Sequence, residues 1–163
     1  MTEIESLVDL MRRAHDGDPW YGPSLRQLLS GVTAQQASAH PVPSGHSIWE
    51  IVLHIAAWKD EARSRLGGRA ASMPDAGDWP KVGETTETRW VDAKRRLGES
   101  HQALVEATSK FPAARLHERP KDERVRELGT GMTYYETLHG VLQHDVYHTA
   151  QIAMLKRALD TGK

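Results

Sequence analysis

TYYETLHGVLQHDVYHTAQIAMLKRAL, residues 133 to 159, is the stretch whose reading decides the fold. It contains no proline, and its single glycine, Gly140, weakens a helix without ending it. Leu138, Val141, Leu142, Ile152, Leu155 and Leu159 recur at helical spacing, so the segment is expected to lie against a core along most of its length. At 1.5 Å per residue it would run roughly 40 Å, the full height of a helical bundle. Thr133 is its natural N-cap, with Glu136 completing a capping box.

Within this stretch His144 and His148 are four residues apart, which stacks their imidazoles one turn above the other on one side of the helix. Two neutral imidazoles so placed can close on one divalent metal, because the helix fixes both side chains beforehand. The spacing alone is weak evidence: nine histidines in 163 positions give roughly 0.5 such pairs by chance. The bland alternative is two unrelated histidines on a polar face. A third, His54, lies in HSIWEIVLHIAAWKDEARSRL beside a buried face marked by Ile48, Ile51, Val52, Ile55 and Trp58. A nitrogen from this facing helix would complete a three-histidine set with positions left open for water or substrate.

Taken together, GHSIWEIVLHIAAW and TYYETLHGVLQHDVYHTAQIAML resemble the signatures of the DinB-like metalloprotein superfamily. The resemblance implies an all-α fold, a four-helix bundle with long crossover loops. It also implies one histidine on the second long helix and an H-x-x-x-H pair on the last as metal ligands. Here these are His54, His144 and His148, with the Gln151-Ile152 that commonly follows the pair. Both signatures occur in order and leave room for one intervening helix, so the resemblance covers most of the chain. It is more specific for fold and metal triad than for reaction. Members of the superfamily include enzymes that transfer or isomerise substrates with a low-molecular-weight thiol as co-substrate, while many relatives have no assigned activity. That implies a divalent-metal-dependent enzyme, a thiol S-transferase, in which the metal activates the thiolate. A metal-dependent hydrolase acting through water and a non-catalytic ligand-binding bundle are the rivals. Such bundles commonly form homodimers through helix faces.

Composition narrows the chemistry. A chain of 163 residues suits one domain, 1–163, and 39% hydrophobic with 26% charged residues describes an ordinary globular protein. A net charge of −1 supplies no field for gathering nucleic acid or anionic lipid, so the expected partner is a small-molecule substrate. The absence of cysteine excludes disulfides, thiolate ligands and a cysteine nucleophile. Any ion must then be held by histidine and oxygen, which favours zinc or nickel, then iron or manganese, over softer ions. MTEIESLVDLMRRAHDG has no basic region followed by an apolar core, and no apolar run approaches the length of a membrane span. The cytoplasm is therefore the default compartment.

In chain order, a first helix is expected from Thr2 to about Ala14, broken by HDGDPWYG, whose Trp20 and Tyr21 could line a pocket, although packing over a bundle end is the commoner role. Short helical turns follow at 23–29 and 33–37. HPVPSGH is an extended connection, after which Ser47 caps the His54 helix with Glu50 in a capping box, and Gly67-Gly68 stop it. Residues 67–83 read as an irregular loop whose Trp79 could cover the bundle mouth. Trp90, Leu97, Leu104 and Phe111, seven apart, mark the inward seam of a third long helix over about 84–110. His101 on that seam is a candidate extra ligand or a core-edge histidine, and Lys94, Arg95 and Arg96 read as a solvated face. Pro112 to Met132 mixes Arg115, Arg119, Lys121, Arg124 and Arg126 with Glu118, Asp122, Glu123 and Glu127, an exposed connection.

Three histidines would bind as neutral imidazoles, so occupancy should fall as pH drops toward their ordinary pKa near 6.5. Three neutral ligands leave the ion's double charge uncompensated, the layout of a catalytic rather than a structural site. No catalytic residue is singled out beyond two candidates. Glu50, one turn before His54, is a cap first and a base or orienter second; Gln151 could bind a metal-bound water or fix a neighbouring backbone group. Glu61, two turns after His54, is another group that could lie near the ion.

Overall fold

The computed structural model describes residues 1–120 and 131–161. They are all helical or irregular, with no strand among the described residues. The helices are α1 (Glu3–His15), α2 (Leu25–Leu29), α3 (Ala34–Ser38), α4 (Ile48–Leu66), α5 (Glu87–Ser109) and α6 (Tyr134–Thr161), with a single 3-10 turn at Ala113–Arg115. No helix of the described residues is long and apolar enough to cross a membrane.

Side-chain capping sets the helix starts. The Thr2 amide donates to Glu5 Oε2 at 2.7 Å, the Ser47 amide to Glu50 Oε2 at 2.7 Å and the Thr133 amide to Glu136 Oε2 at 2.7 Å. In each box the third amide of the helix donates back to the capping hydroxyl, which satisfies two donors that helix geometry leaves without partners. At the far end of α4, Gly67 closes the last turn and Gly68 takes φ 91°, a left-handed conformation that a side chain would resist.

Each of the four long helices has two principal long neighbours: α1 packs on α5 and α6, and α4 packs on α5 and α6. Two apolar clusters result. One gathers Ile48, Trp49, Ile51, Val52 and Ile55 of α4 with Trp90 and Leu97 of α5 and Ile152 and Leu155 of α6, roofed by α2 and α3. The other gathers Leu7 and Met11 of α1, Leu104 and Val105 of α5, Phe111, and Tyr134 and Leu138 of α6. Between the two clusters all four helices contribute buried polar side chains: His15, Lys59, Ser100, His101, Asp145, His148 and Thr149.

Trp20 does not pack over the bundle end: it is fully exposed, at 102%. Glu61 is not turned to the histidines. Its buried carboxylate accepts from Arg65 Nε, Arg69 Nη2 and the Ser72 amide at 2.7 to 3.0 Å, and so ties the loop after α4 to that helix. Arg95 and Arg96 are surface groups paired with Glu99 and Asp60, as a solvated face requires. Of the connection over 112–132, the run from Lys121 to Thr130 lies outside the described residues.

Candidate metal centre

His54 projects from α4, and His144 and His148 from α6, where one helical turn places them side by side. The three rings meet: centroids are 4.8 Å apart for His54 and His144, 4.6 Å for His54 and His148, and 4.4 Å for His144 and His148. One ring nitrogen from each lies within 4.8 Å of the others, and no further histidine or carboxylate joins the group among the described residues. Nε2 of His54 faces Nε2 of His144 at 2.9 Å. Two nitrogens that close can share one ion at about 2.0–2.1 Å from each.

The surroundings fix which nitrogens are free. His54 Nδ1 lies 2.6 Å from the backbone carbonyl oxygen of Asp78, which can only accept, so Nδ1 carries the proton and Nε2 keeps its lone pair. His148 Nδ1 likewise donates to Gln151 Oε1 at 2.7 Å, leaving its Nε2 bare. His144 Nδ1 is buried and has no hydrogen-bond partner among the described residues. Two imidazoles oriented by outward hydrogen bonds, with a ring nitrogen of His144 within 4.8 Å of theirs, are a donor set a divalent ion can use, and the residues present therefore fit one.

Electrostatics agree with neutral rings. Burial lowers the His54 pKa, against the partial pull of the Asp78 carbonyl and carboxylate. Burial also lowers that of His148, partly offset by its bond to Gln151. His144 falls to about 3, first by burial and then by the neighbouring His148, His54 and Lys59 charges.

The loop after α4 supplies what the helical pattern does not foretell. Trp79 stacks on His54 with centroids 3.9 Å apart and planes 9° apart, and His46 stacks on the other side of the same indole at 3.4 Å. Asp78 Oδ1 accepts from the Trp58 indole N–H at 2.8 Å, which anchors the loop on α4 beside the triad. Periodicity carries no signal for such a lid; only the aromatic in an otherwise Gly- and Pro-rich run hinted at it.

The other candidates fall elsewhere. Glu50 is engaged with the Ser47 amide and with His40 Nε2 at 3.0 Å, so its carboxylate serves the helix start. Gln151 contacts a ring nitrogen of the triad rather than a backbone group. His101 stacks on His15 of α1, with centroids 3.9 Å apart and planes 8° apart, in the core. Sequence reasoning missed the pair next to it: Lys59, wholly buried on α4, donates to Asp145 Oδ2 on α6, one residue from His144. A lysine and an aspartate on helices ordinarily mark solvated faces, and the sequence offered Asp145 only as a neighbour of His144 turned about 100° from it around the helix.

Compared with known proteins, residues 23–152 match the family profile of the DinB superfamily. All three histidines fall within that span. No curated protein and no solved structure matches significantly.

Proposed function

The chain belongs to the DinB superfamily, a metal-binding family, and from that premise we propose that it is a divalent-metal-dependent enzyme acting on a small molecule, with His54, His144 and His148 as the ligands. The single observation that carries this reading is the meeting of one ring nitrogen from each of the three histidines within 4.8 Å, with His54 and His148 each bonded outward through Nδ1. The ring of packing among α1, α5, α4 and α6 supports a four-helix bundle of the family's type, with the loop after α4 as a crossover.

When bound, zinc or nickel, or else iron or manganese, would supply Lewis acidity undiminished by its neutral ligands, lowering the pKa of a thiol or water. The chain's own residues do the rest. The Asp78 carbonyl and Gln151 hold two imidazoles in one tautomer, and Trp79 shields the His54 face from water. With no cysteine in the chain, any sulfur comes from a low-molecular-weight thiol. Transfer would form a carbon–sulfur bond at an electrophilic carbon while that carbon's bond to its leaving group breaks; the leaving group departs with the bonding pair, and the thiol proton passes to it or to solvent.

The test is thiol consumption by metal-loaded protein with a panel of low-molecular-weight thiols and electrophilic acceptors. Metal-dependent consumption, abolished in His148→Ala, is expected. No consumption with any of these metals would overturn the transferase reading, and ester or amide turnover without added thiol would establish the hydrolase in its place.

A further inference from the structure

Between α4 and α6 lies a cavity of about 150 Å³ whose wall includes Trp58, Ala62, Arg65, Gly140, Val141 and His144. Four larger hollows, of about 400 to 490 Å³, have no triad residue in their walls. The small cavity thus reaches the triad through His144. Its charge is already answered: Arg65 donates to Glu61 and to the Ser72 carbonyl, and Glu136 is held in the α6 capping box. Beside them the Trp58 ring stands 6.1 Å from His144, between centroids.

Gly140 is the unexplained member. It sits inside α6, one turn before His144, where a glycine weakens the helix relative to alanine. It has no positive φ, and a Cβ built on it would meet nothing within 4 Å, so neither backbone conformation nor a close neighbour requires it. What the missing side chain leaves is open space on the cavity side of the helix.

We propose that this cavity receives an uncharged, apolar part of the substrate beside His144, a chain or ring of about five or six carbons, and that Gly140 sets its size. A half-open pocket of this volume with a mostly apolar wall has room for a group about as large as benzene. The proposal rests on the metal reading above.

The full chain loaded with Co²⁺ tests it by visible absorption, using azide and a series of straight-chain alkyl thiols from ethyl to hexyl as probes. Wild-type affinity should rise about fourfold per methylene, or ~0.8 kcal/mol, and level off near five carbons. Gly140→Leu should flatten that rise and leave azide affinity unchanged. Gly140→Ala should bring the plateau one carbon earlier while raising the melting temperature by a few degrees, and it serves as the test should the leucine variant not fold. Azide binding without a chain-length dependence, or the same dependence in both variants, overturns the cavity proposal alone. Failure to take up Co²⁺ overturns the metal reading and this proposal together.

Discussion

Replacing Lys59 by methionine keeps most of the stem that fills the core and deletes its charge. Lys59 is 0% exposed and Asp145 5%, so the pair between α4 and α6 is shielded from water. Removing one partner of a buried ion pair typically destabilises by about 3–5 kcal/mol, because the other charge is left alone. Here Asp145 Oδ1 has no hydrogen-bond partner among the described residues even in the intact pair, so no second bond there would stabilise the carboxylate. Burial already raises the Asp145 pKa, against the pull of Lys59, and without the lysine it would rise further. A folded pKa above the unfolded one gives stability that is present at low pH and lost as pH rises. The penalty of Lys59→Met is therefore greater at pH 8 than at pH 5. Urea unfolding of chelator-treated protein at both pH values measures it, and Lys59→Met with Asp145→Leu should recover to within about 1 kcal/mol of wild type. A single variant within about 0.5 kcal/mol of wild type at both pH values would refute the reasoning.

Gln151→Leu removes the acceptor that orients His148, and calorimetric titration with Zn²⁺ should show affinity weakened by about 10–100-fold, with unchanged affinity counting against the assigned role. Acid should destabilise the metal-free protein. His15 and His144 are held to about 3 and His101 to about 2, chiefly by burial, so each is neutral when folded and protonated when unfolded below about pH 6.5. Stability falls by roughly 1.4 kcal/mol per pH unit for each such ring, partly offset by Asp145, whose raised pKa acts in the opposite sense. A melting temperature that stays level from pH 7 to pH 4.5 would contradict this.

The helix framework was legible because its signals are local. Thr2, Ser47 and Thr133, each with a glutamate three residues on, announce helix starts, and Trp90, Leu97 and Leu104 mark a seam through heptad spacing. The meeting of His54 with His144 and His148 was anticipated from the pair's need of a third ligand together with a family resemblance, since nothing local links residues 90 positions apart. What remained hidden depends on tertiary placement. Lys59, Asp145 and His15 look like surface residues until four helices enclose them. The Asp78 carbonyl that orients His54 is a backbone atom, to which residue identity gives no clue. Glu50 stood one turn from His54, yet its cap claimed the carboxylate.

Metal content is the most direct test of three imidazoles sharing one ion. Protein purified without a metal-binding tag, incubated with Zn²⁺ or Ni²⁺ at neutral pH and desalted, should hold one ion per chain by elemental analysis. His54→Ala, His144→Ala and His148→Ala should each lose it. No bound ion in the wild type, or equal retention in all three variants, would contradict the account.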